Sequence, residues 1–517
     1  MSRYICCAFL GVVILVWPVH GLAAPARHVI IISIDGLHEA DLTDPATRDQ
    51  VPNIMGLAHS GIWYQNASCT HPSDSFPGSL AYLTGAGPAT TGVYYDDTFC
   101  RSLVAPGGGA DSPLGTQVRL TATIDKQPRM LSGGGDFDAS SVDPAKLPLD
   151  PAHGFAPVYP HNYLKVNTIF EIAHSAGLRT AFLEKHPSYE IASGPSGKGI
   201  DDMYCPEIDA PAALIDGKLM DGYSAPAGTK LGQIIHNLPL VMAYDDMKLA
   251  ALLREIGGQD SRGRGRPGPP ALAAMNLQSV NIGQKSLTGG IDQVGAGESV
   301  SRELTDALHH SDDNIATIVR QLHQSGLWDD TLIVLTAKHG NSPRIGKASV
   351  AGGGRILTAL KAAGIDVAGY TQDQIALFWL ADSGQTSNAA GVLQAMRDGP
   401  DNPGIDQILW GDSLKAAGLA GPADRMPDLV LTAKPGMFLL DLLSKRAEHG
   451  ALNDDDTHVP LILCGGAVDP ARRGSVMATK VKSTQIAVTV LRALGLDASA
   501  LQGARIDKTQ ALPQSGL

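Results

Sequence analysis

The chain has 517 residues, 44% of them hydrophobic and 18% charged, and its formal net charge is -12 at pH 7. This is an ordinary globular composition, and the length favours one large α/β domain with insertions. An acidic chain is poorly suited to neutralising a phosphate backbone, so a nucleic-acid duplex is excluded as a partner.

The N-terminus has the pattern of a secretory signal. Arg3 precedes an apolar stretch from Ile5 to Trp17, and small residues follow near Ala23. We predict a cleaved signal peptide over residues 1–24 and a secreted or periplasmic protein, with an uncleaved anchor as the alternative. No later stretch is long and apolar enough to cross a membrane, so the sequence predicts no membrane span in the mature chain.

Four cysteines remain after the signal, at Cys69, Cys100, Cys205 and Cys464. In an oxidising compartment they predict disulfides, and four cysteines allow three pairings. The most local pairing joins Cys69 to Cys100. The sequence does not choose among the three.

Strand and helix signals alternate over most of the chain, which predicts an α/β fold with a mainly parallel central sheet and helices on both faces. We expect residues 25–517 to form this single domain, with inserted loops or a small cap near residues 102–160, 186–270 and 341–425. The predicted helices are Thr168 to Ala176 and Leu304 to Gln324. The predicted core strands are His28 to Ile34, Leu178 to Leu183, Ala271 to Leu277, Thr331 to Thr336, Ile375 to Leu380, Asp428 to Thr432 and Val459 to Cys464.

The first strand ends on a carboxylate and a glycine. Val29 to Ile32 is a β-branched run typical of a strand buried on both faces, and Asp35 follows at its carboxyl end. Ligands of open α/β sheets bind at this edge, so Asp35 is a candidate for binding a metal or a substrate. The alternative is an Asp that caps the turn at Gly36.

A hydroxyl stands at the start of the next helical segment. Ser75 precedes Phe76 and Pro77, and backbone N–H groups at a helix start favour an anion or an alkoxide. Ser75 is therefore a candidate nucleophile, with a plain N-cap as the alternative.

Two histidines later in the chain are candidate metal ligands. His339 comes three residues after the predicted strand Thr331 to Thr336, which places it at the same sheet edge as Asp35. His449 precedes a glycine and the acidic run that begins at Asp454. Imidazole at a strand end is a common metal ligand, although a lone histidine is also compatible with a structural role.

These motifs together resemble the type I phosphodiesterase and nucleotide pyrophosphatase group of the alkaline phosphatase superfamily. The resemblance covers an Asp-Gly at Asp35, a Ser before Phe-Pro at Ser75, and a His-Gly at both His339 and His449. It implies an alkaline phosphatase-like fold and a hydrolase of phosphate esters, whether phosphodiester, pyrophosphate or phosphomonoester. It also implies two zinc ions, with Asp35, Ser75, His339 and His449 as ligands and Ser75 as the nucleophile.

The chain departs from this group at two ligand positions. Lys338 stands where the group has an Asp before the His. The usual Asp and His four residues apart fall, by our alignment, on Val280 and Gln284, which are not zinc ligands. These changes add positive charge next to Asp35.

Two zinc ions beside Lys338 would leave a buried surplus of positive charge. The sequence therefore predicts at most one strongly held divalent ion, zinc by the resemblance, with a metal-free centre as the alternative. Lys338 is then a catalytic candidate that pairs with Asp35 or offers its own charge to the phosphoryl group.

The predicted strand Leu178 to Leu183 brings Lys185 and His186 to the edge where Asp35 lies. In the related phosphonoacetate hydrolases, lysines after the equivalent strand hold the substrate's carboxylate. We predict that Lys185 and His186 bind a small anionic phosphate ester, with a surface lysine as the alternative. Hydrolysis of sulfate esters or phosphonates, or binding without catalysis after loss of the metals, are the competing functions. The oligomeric state stays open.

Overall fold

The structure is a computed structural model that describes residues 26–294, 297–345, 353–440 and 445–516. The predicted signal peptide, residues 1–24, lies outside the described residues. In the described part of the chain, no helix has the length and apolar character needed to cross a bilayer.

An eight-stranded sheet forms the centre of the fold. Its strands are β1 (His28–Ile34), β2 (Ile62–Tyr64), β3 (Thr180–Leu183), β4 (Asp202–Tyr204), β5 (Leu272–Leu277), β6 (Thr331–Thr336), β7 (Leu461–Cys464) and β8 (Ser475–Met477). They lie in the order β8-β2-β7-β6-β1-β5-β3-β4. Strands β4, β3, β5, β1 and β6 are parallel neighbours, and β7 runs antiparallel to both β6 and β2. The predicted mainly parallel sheet is confirmed.

Strand β1 occupies the middle of this sheet because it is apolar on both faces. Val29 and Ile31 pack into one hydrophobic cluster, and Ile30 and Ile32 pack into the other. This alternation follows from the period of two along a strand. Ser33 of β1 stands level with one residue of β5 and one of β6, so the three strands end together.

Helices cover both faces, as predicted for the fold class. On the face of Val29 lie the helices Ser75–Thr84, Ile169–Ser175 and Gln485–Ala493. On the face of Ile30 lie Pro52–Ser60, Leu238–Ile256, Ser279–Lys285 and Arg302–Gln324. The remaining α-helices are Ala40–Thr43, Pro45–Arg48, Pro88–Thr91, Pro160–Tyr163, Gly353–Ala362, Thr386–Asp398, Asp412–Ala416, Asp454–Thr457 and Gln502–Asp507.

Two strands predicted for the central sheet belong to a separate one. Ile375–Leu380 and Leu429–Ala433 pair with each other in a four-stranded antiparallel sheet, together with Val367–Gln372 and Ile405–Leu409. Both faces of Ile375–Leu380 are buried, one against each of two further hydrophobic clusters. A continuous apolar run shows that a strand is buried, but it does not identify the sheet to which the strand belongs.

The predicted strand Val459 to Cys464 is also divided. His458–Val459 pairs with Ala67–Ser68 in a small sheet, and Leu461–Cys464 is the central strand β7. Pro460 separates them, because proline cannot donate a hydrogen bond to a sheet.

None of the three disulfide pairings that the sequence allows is present in this structure. All four cysteines are buried free thiols. Cys69 Sγ lies 3.6 Å from the backbone oxygen of Asp456, whereas Cys100 Sγ lies 3.3 Å from Ser102 Oγ. The two side chains therefore have different surroundings, and proximity in sequence did not bring the thiols together.

Smaller sheets occupy the connections. They comprise Asp97–Cys100 with Thr116–Arg119, Leu149–Asp150 with Ala156–Pro157, Pro211–Ile215 with Lys218–Asp221 and Gly232–Gln233, Ile291–Val294 with Gly297–Val300, Ser342–Pro343 with Ala447–Glu448, and Val481–Lys482 beside Ala67–Ser68. A 3₁₀ segment, Pro187–Ser193, follows β3 and lies near the candidate site.

Candidate active site

Asp35 is the centre of a buried polar cluster at the carboxyl ends of β1, β3, β5 and β6. Its Oδ2 atom lies 3.3 Å from Lys185 Nζ and 3.4 Å from Lys338 Nζ, and it accepts a hydrogen bond of 2.6 Å from Gln278 Nε2. Its Oδ1 atom lies 2.9 Å from His339 Nε2. One carboxylate thus faces two ammonium groups, an amide and an imidazole, all contributed by neighbouring strand ends.

Ser75 begins the helix Ser75–Thr84, as the sequence predicted. Asp74 caps this helix, because its side chain accepts a hydrogen bond from the backbone N–H of Phe76. The Ser75 hydroxyl is therefore left free to contact Lys185 Nζ at 2.9 Å and His339 Nε2 at 3.1 Å.

A glycine lets this helix approach the strand that carries Lys338 and His339. A Cβ atom at Gly78 would lie 2.4 Å from the backbone oxygen of Lys338, closer than real contacts allow. Gly78 therefore sets the distance between Ser75 and the end of β6.

Both ring nitrogens of His339 face acceptors, since Nδ1 lies 2.8 Å from the backbone oxygen of Gly340 and Nε2 lies 2.9 Å from Asp35 Oδ1 as well as beside the Ser75 hydroxyl. We assign the one proton of the neutral ring to Nδ1, which leaves Nε2 free to take the Ser75 proton. In the neutral ring, Nε2 is then an acceptor for the Ser75 hydroxyl. Burial lowers the pKa of His339 and outweighs Asp35, which raises it. The ring is therefore neutral. This is the arrangement of a base next to a hydroxyl nucleophile.

His449 lies beside His339, with ring centroids 3.8 Å apart. Its Nδ1 atom is buried and has no hydrogen-bond partner. Burial, followed by the charges of His339 and Lys285, holds the pKa of His449 well below its ordinary value. His449 therefore stands in the site as a neutral ring.

Lys338 bridges two carboxylates. Besides Asp35, its Nζ atom lies 2.9 Å from Glu184 Oε1 and donates to the Tyr189 hydroxyl at 3.2 Å. Burial works against the ammonium form, but Asp35 and Glu184 outweigh it and raise the pKa of Lys338. The predicted pairing of Lys338 with Asp35 is present, whereas the ammonium group beside Ser75 is that of Lys185.

The charges of the centre cancel. Asp35 and Glu184 are negative, and Lys185 and Lys338 are positive. Burial opposes ionisation of Asp35, but the charges of Lys338 and Lys185 hold its pKa well below the ordinary value. With His339 neutral, two carboxylates balance two ammonium groups, which is how buried charges are tolerated.

Three members of the cluster, Gln278, Glu184 and Tyr189, were missed by sequence reasoning. Val280 lies in the hydrophobic core, and Gln284 Oε1 accepts a hydrogen bond from Asn341, so neither reaches Asp35. The residue of this segment that does is Gln278, directly after β5. The sequence could have indicated Glu184, because it also follows directly on a predicted strand. No sequence pattern indicated Tyr189.

His186 binds Glu207 instead of Asp35 or Ser75. Its Nδ1 atom lies 2.8 Å from Glu207 Oε1, and its ring stacks beside Tyr189 with the ring centroids 6.4 Å apart. The structure brings together the other six predicted site residues, which are Asp35, Ser75, Lys185, Lys338, His339 and His449.

Solved structures share this architecture. An inactive murine ectonucleotide pyrophosphatase/phosphodiesterase 5 in complex with AMP is 12% identical, with a TM-score of 0.57, and the match covers 91% of this chain and 96% of that one. Wild-type alkaline phosphatase PafA is 13% identical, with a TM-score of 0.61 and 92% and 97% coverage. Human ectonucleotide pyrophosphatase/phosphodiesterase 5 is 11% identical, with a TM-score of 0.55 and 91% and 96% coverage. No curated protein sequence matches the chain.

The sheet and the helices on both of its faces form an alkaline phosphatase-like fold, and the sequence identifies the family. The profile of the family described as type I phosphodiesterase/nucleotide pyrophosphatase matches residues 29–452. The chain belongs to this family of phosphoester hydrolases.

Members of the family are typically zinc-dependent, and a zinc site needs carboxylate or imidazole ligands whose charge is not already neutralised. Asp35 Oδ1, Ser75 Oγ and His339 Nε2 converge, but Lys185 and Lys338 already balance the carboxylates, and Gln278 is neutral. A zinc ion would leave two uncompensated positive charges in a buried site. The residues present do not fit the family's two-zinc centre.

Proposed function

We propose that the protein is an exported phosphoester hydrolase in which Ser75 attacks phosphorus, with Lys185 and His339 activating the hydroxyl in place of a metal ion. One observation carries this proposal. The Ser75 hydroxyl lies between an ammonium donor, Lys185 Nζ at 2.9 Å, and an imidazole acceptor, His339 Nε2 at 3.1 Å. A metal ion makes a bound hydroxyl easier to deprotonate and offsets the negative charge of the resulting alkoxide. Here a general base and an ammonium group on the same hydroxyl have these two effects.

The attack begins with His339 protonated at Nδ1. The Ser75 O–H bond breaks, its proton passes to His339 Nε2, and Oγ forms a bond to phosphorus. Asp35 Oδ1, 2.9 Å away, stabilises the imidazolium that results. The N–H of Lys185 donates to Oγ throughout, and its charge stabilises the anionic transition state.

The bond from phosphorus to the leaving oxygen then breaks on the side opposite Ser75 Oγ, and the leaving oxygen takes its proton from water while His339 stays protonated. This produces a phosphoserine at Ser75 and a free alcohol or phosphate. Water then attacks phosphorus from the side opposite Oγ and gives a proton to solvent. The bond from phosphorus to Oγ breaks, and His339 returns its proton to Oγ, which restores the Ser75 hydroxyl and releases the phosphate product.

Lys338 acts at longer range. It has contacts with Asp35, Glu184 and Tyr189, and none of these is a reacting atom. Its charge holds Asp35 ionised and adds to the positive potential at the phosphoryl position. This role suits a substrate that is a small anionic phosphate ester, which the family and the AMP bound by the murine relative support.

The test is a substrate panel with chelator-treated enzyme. We expect turnover of bis-p-nitrophenyl phosphate or p-nitrophenyl phosphate that Ser75→Ala abolishes and Ser79→Ala, a change at the neighbouring helical serine, leaves largely intact. Preference for p-nitrophenyl sulfate or a phosphonate would identify the alternative chemistry on the same scaffold. Activity that survives Ser75→Ala contradicts the nucleophile, and no turnover of any substrate favours a binding protein.

Export and domain organisation belong to the same proposal. Arg3, the apolar stretch from Ile5 to Trp17 and the small residues at Ala23 support a signal removed after Ala23 or Ala24, leaving one domain with insertions. N-terminal sequencing of the exported protein checks this, and an N-terminus at Met1 on a membrane-bound product contradicts it.

A further inference from the structure

A second group of potential ligands lies beside the loop that carries Lys185. His186 follows β3, and Glu207 and Asp209 follow β4. One ligand atom from each of the three lies within 4.8 Å of the others. His186 and Glu207 are buried and Asp209 is half-buried. Among the described residues, this is the group that brings three such side chains together.

Asp125 gives an independent sign that something binds here. It is fully buried and lies beside the carboxyl group of Glu207, and neither of its oxygens accepts a hydrogen bond from an N–H group or a hydroxyl. Burial first, and then the neighbouring carboxylate of Glu207, raise the pKa of Asp125 to about 9. Two buried carboxyl groups side by side are unfavourable unless a proton or a cation stands between them.

The positively charged side chains around Asp125 bind other groups. Lys146 Nζ donates to the backbone oxygen of Asp125 rather than to its side chain. Lys185 Nζ points to Asp35 and Ser75. His186 lies 2.8 and 3.0 Å from the two oxygens of Glu207, so its ring contacts Glu207 rather than Asp125.

We propose that His186, Glu207, Asp209 and Asp125 bind one divalent transition-metal ion, at a site separate from the reacting centre. One imidazole with several carboxylates is a ligand set suited to zinc or manganese, whereas calcium and magnesium prefer oxygen alone. The proposal rests on this cluster and is independent of the proposed catalytic function.

The ion joins three segments that are distant in sequence. Asp125 follows the 3₁₀ turn Ala122–Ile124, His186 follows β3, and Glu207 and Asp209 follow β4. The backbone N–H of Ile208 also donates to the oxygen of Lys185 at 3.0 Å, so the β3 and β4 loops are already joined once. The ion therefore stabilises this part of the fold, and protein stability and metal content are its proper readouts.

The experiment measures zinc by elemental analysis on chelator-treated protein that is reloaded with Zn²⁺ and dialysed, alongside its melting temperature. We expect about one zinc per chain and a rise in melting temperature of several degrees, and less than about a tenth of this zinc in Glu207→Gln and Asp125→Asn. Manganese and calcium are loaded in parallel, and calcium should be bound more weakly.

Two variants serve as controls. Glu190 is a buried carboxylate that pairs with a single histidine, His161, so Glu190→Gln should keep its zinc. His449→Gln removes a family ligand position at the reacting centre and should also keep it. Ser75→Ala separates the proposals, because it removes catalysis and leaves zinc binding intact.

The proposal is overturned if wild-type protein retains no zinc, or if Glu207→Gln and Asp125→Asn retain as much as wild type. It is also overturned if His449→Gln alone removes the ion. Circular dichroism of the chelated variants shows whether they are folded. For a variant that is unfolded, Asp209→Asn, at the half-buried ligand, replaces it under the same criteria.

Discussion

The Nζ atom of Lys185 lies 2.9 Å from the Ser75 hydroxyl oxygen and 3.3 Å from Asp35 Oδ2. The ammonium group therefore joins the hydroxyl to the carboxylate, the two groups that a metal ion links in a two-metal site. The same strand end supplies Glu184, which compensates Lys338. Local charge balance and nucleophile activation thus depend on consecutive residues of one loop.

Replacing Lys185 should reduce the chemical step. In Lys185→Gln, the hydroxyl of Ser75 loses its charged donor, and we expect kcat to fall by about 10²- to 10³-fold, the usual loss for one electrostatic donor. Steady-state kinetics on the best p-nitrophenyl substrate measures this. The exposed Lys198, on the segment that follows, gives the matched control Lys198→Gln. A kcat within threefold of wild type for Lys185→Gln contradicts the role.

The pH dependence should report His339. Because burial lowers the pKa of His339, its neutral form persists below the ordinary value of 6.5. The rate constant kcat/KM should therefore be level from pH 6.5 to pH 8 and fall only as the pH drops through a value below 6.5. His339→Gln should lose most of the activity and also the acid limb. An acid limb centred above pH 7 in wild type contradicts a buried neutral base.

Restoring the family's carboxylate should restore a zinc site. Lys338→Asp changes the charge of the centre by two negative units, so a Zn²⁺ ion then balances it. We expect this variant to bind one more zinc per chain than wild type and to be unstable without it, since breaking a buried ion pair costs about 3–5 kcal/mol. Lys338→Met removes the same charge without adding a ligand, so it should lose stability and gain no zinc. Equal zinc content in Lys338→Asp and wild type contradicts the charge argument.

The close contact at Gly78 predicts a steric effect. An alanine there places Cβ 2.4 Å from the backbone oxygen of Lys338, so the helix or the end of β6 has to move. We expect Gly78→Ala to cost about 1–3 kcal/mol of unfolding free energy and to reduce kcat. At Gly56, in the helix Pro52–Ser60, an added Cβ atom would have no neighbour within 4 Å, so Gly56→Ala should stabilise by up to about 1 kcal/mol. Similar denaturant midpoints for the two variants contradict this account.

The sequence predicted strands β1 and β6 with their observed bounds, because both are apolar runs that end in polar residues. It also predicted that Asp35 and His339 belong to one site, since parallel strands bring their carboxyl ends together, and the family resemblance added Ser75. Sheet membership of Ile375–Leu380 was not predictable from its pattern, because burial on both faces does not distinguish one sheet from another.

The particular partner of each side chain was harder to predict. Lys338 and Lys185 arrive at the same edge, and only the packed structure shows that Lys185 reaches Ser75 while Lys338 lies between Asp35 and Glu184. Tyr189 contributes from a 3₁₀ segment that has no sequence signal for a site. The state of the four cysteines was not predictable for the same reason, since spacing along the chain does not report the distance between two buried thiols.

The central claim is that Ser75 reacts without a metal ion at the reacting centre. The most direct measurement is the kcat of chelator-treated enzyme, with its zinc content determined and its fold checked by circular dichroism. We predict a kcat within about threefold of the untreated enzyme, because the activating charges belong to Lys185 and His339. A loss of more than about 100-fold that added Zn²⁺ restores, in wild type and equally in Glu207→Gln, would show that a metal at the reacting centre performs the chemistry.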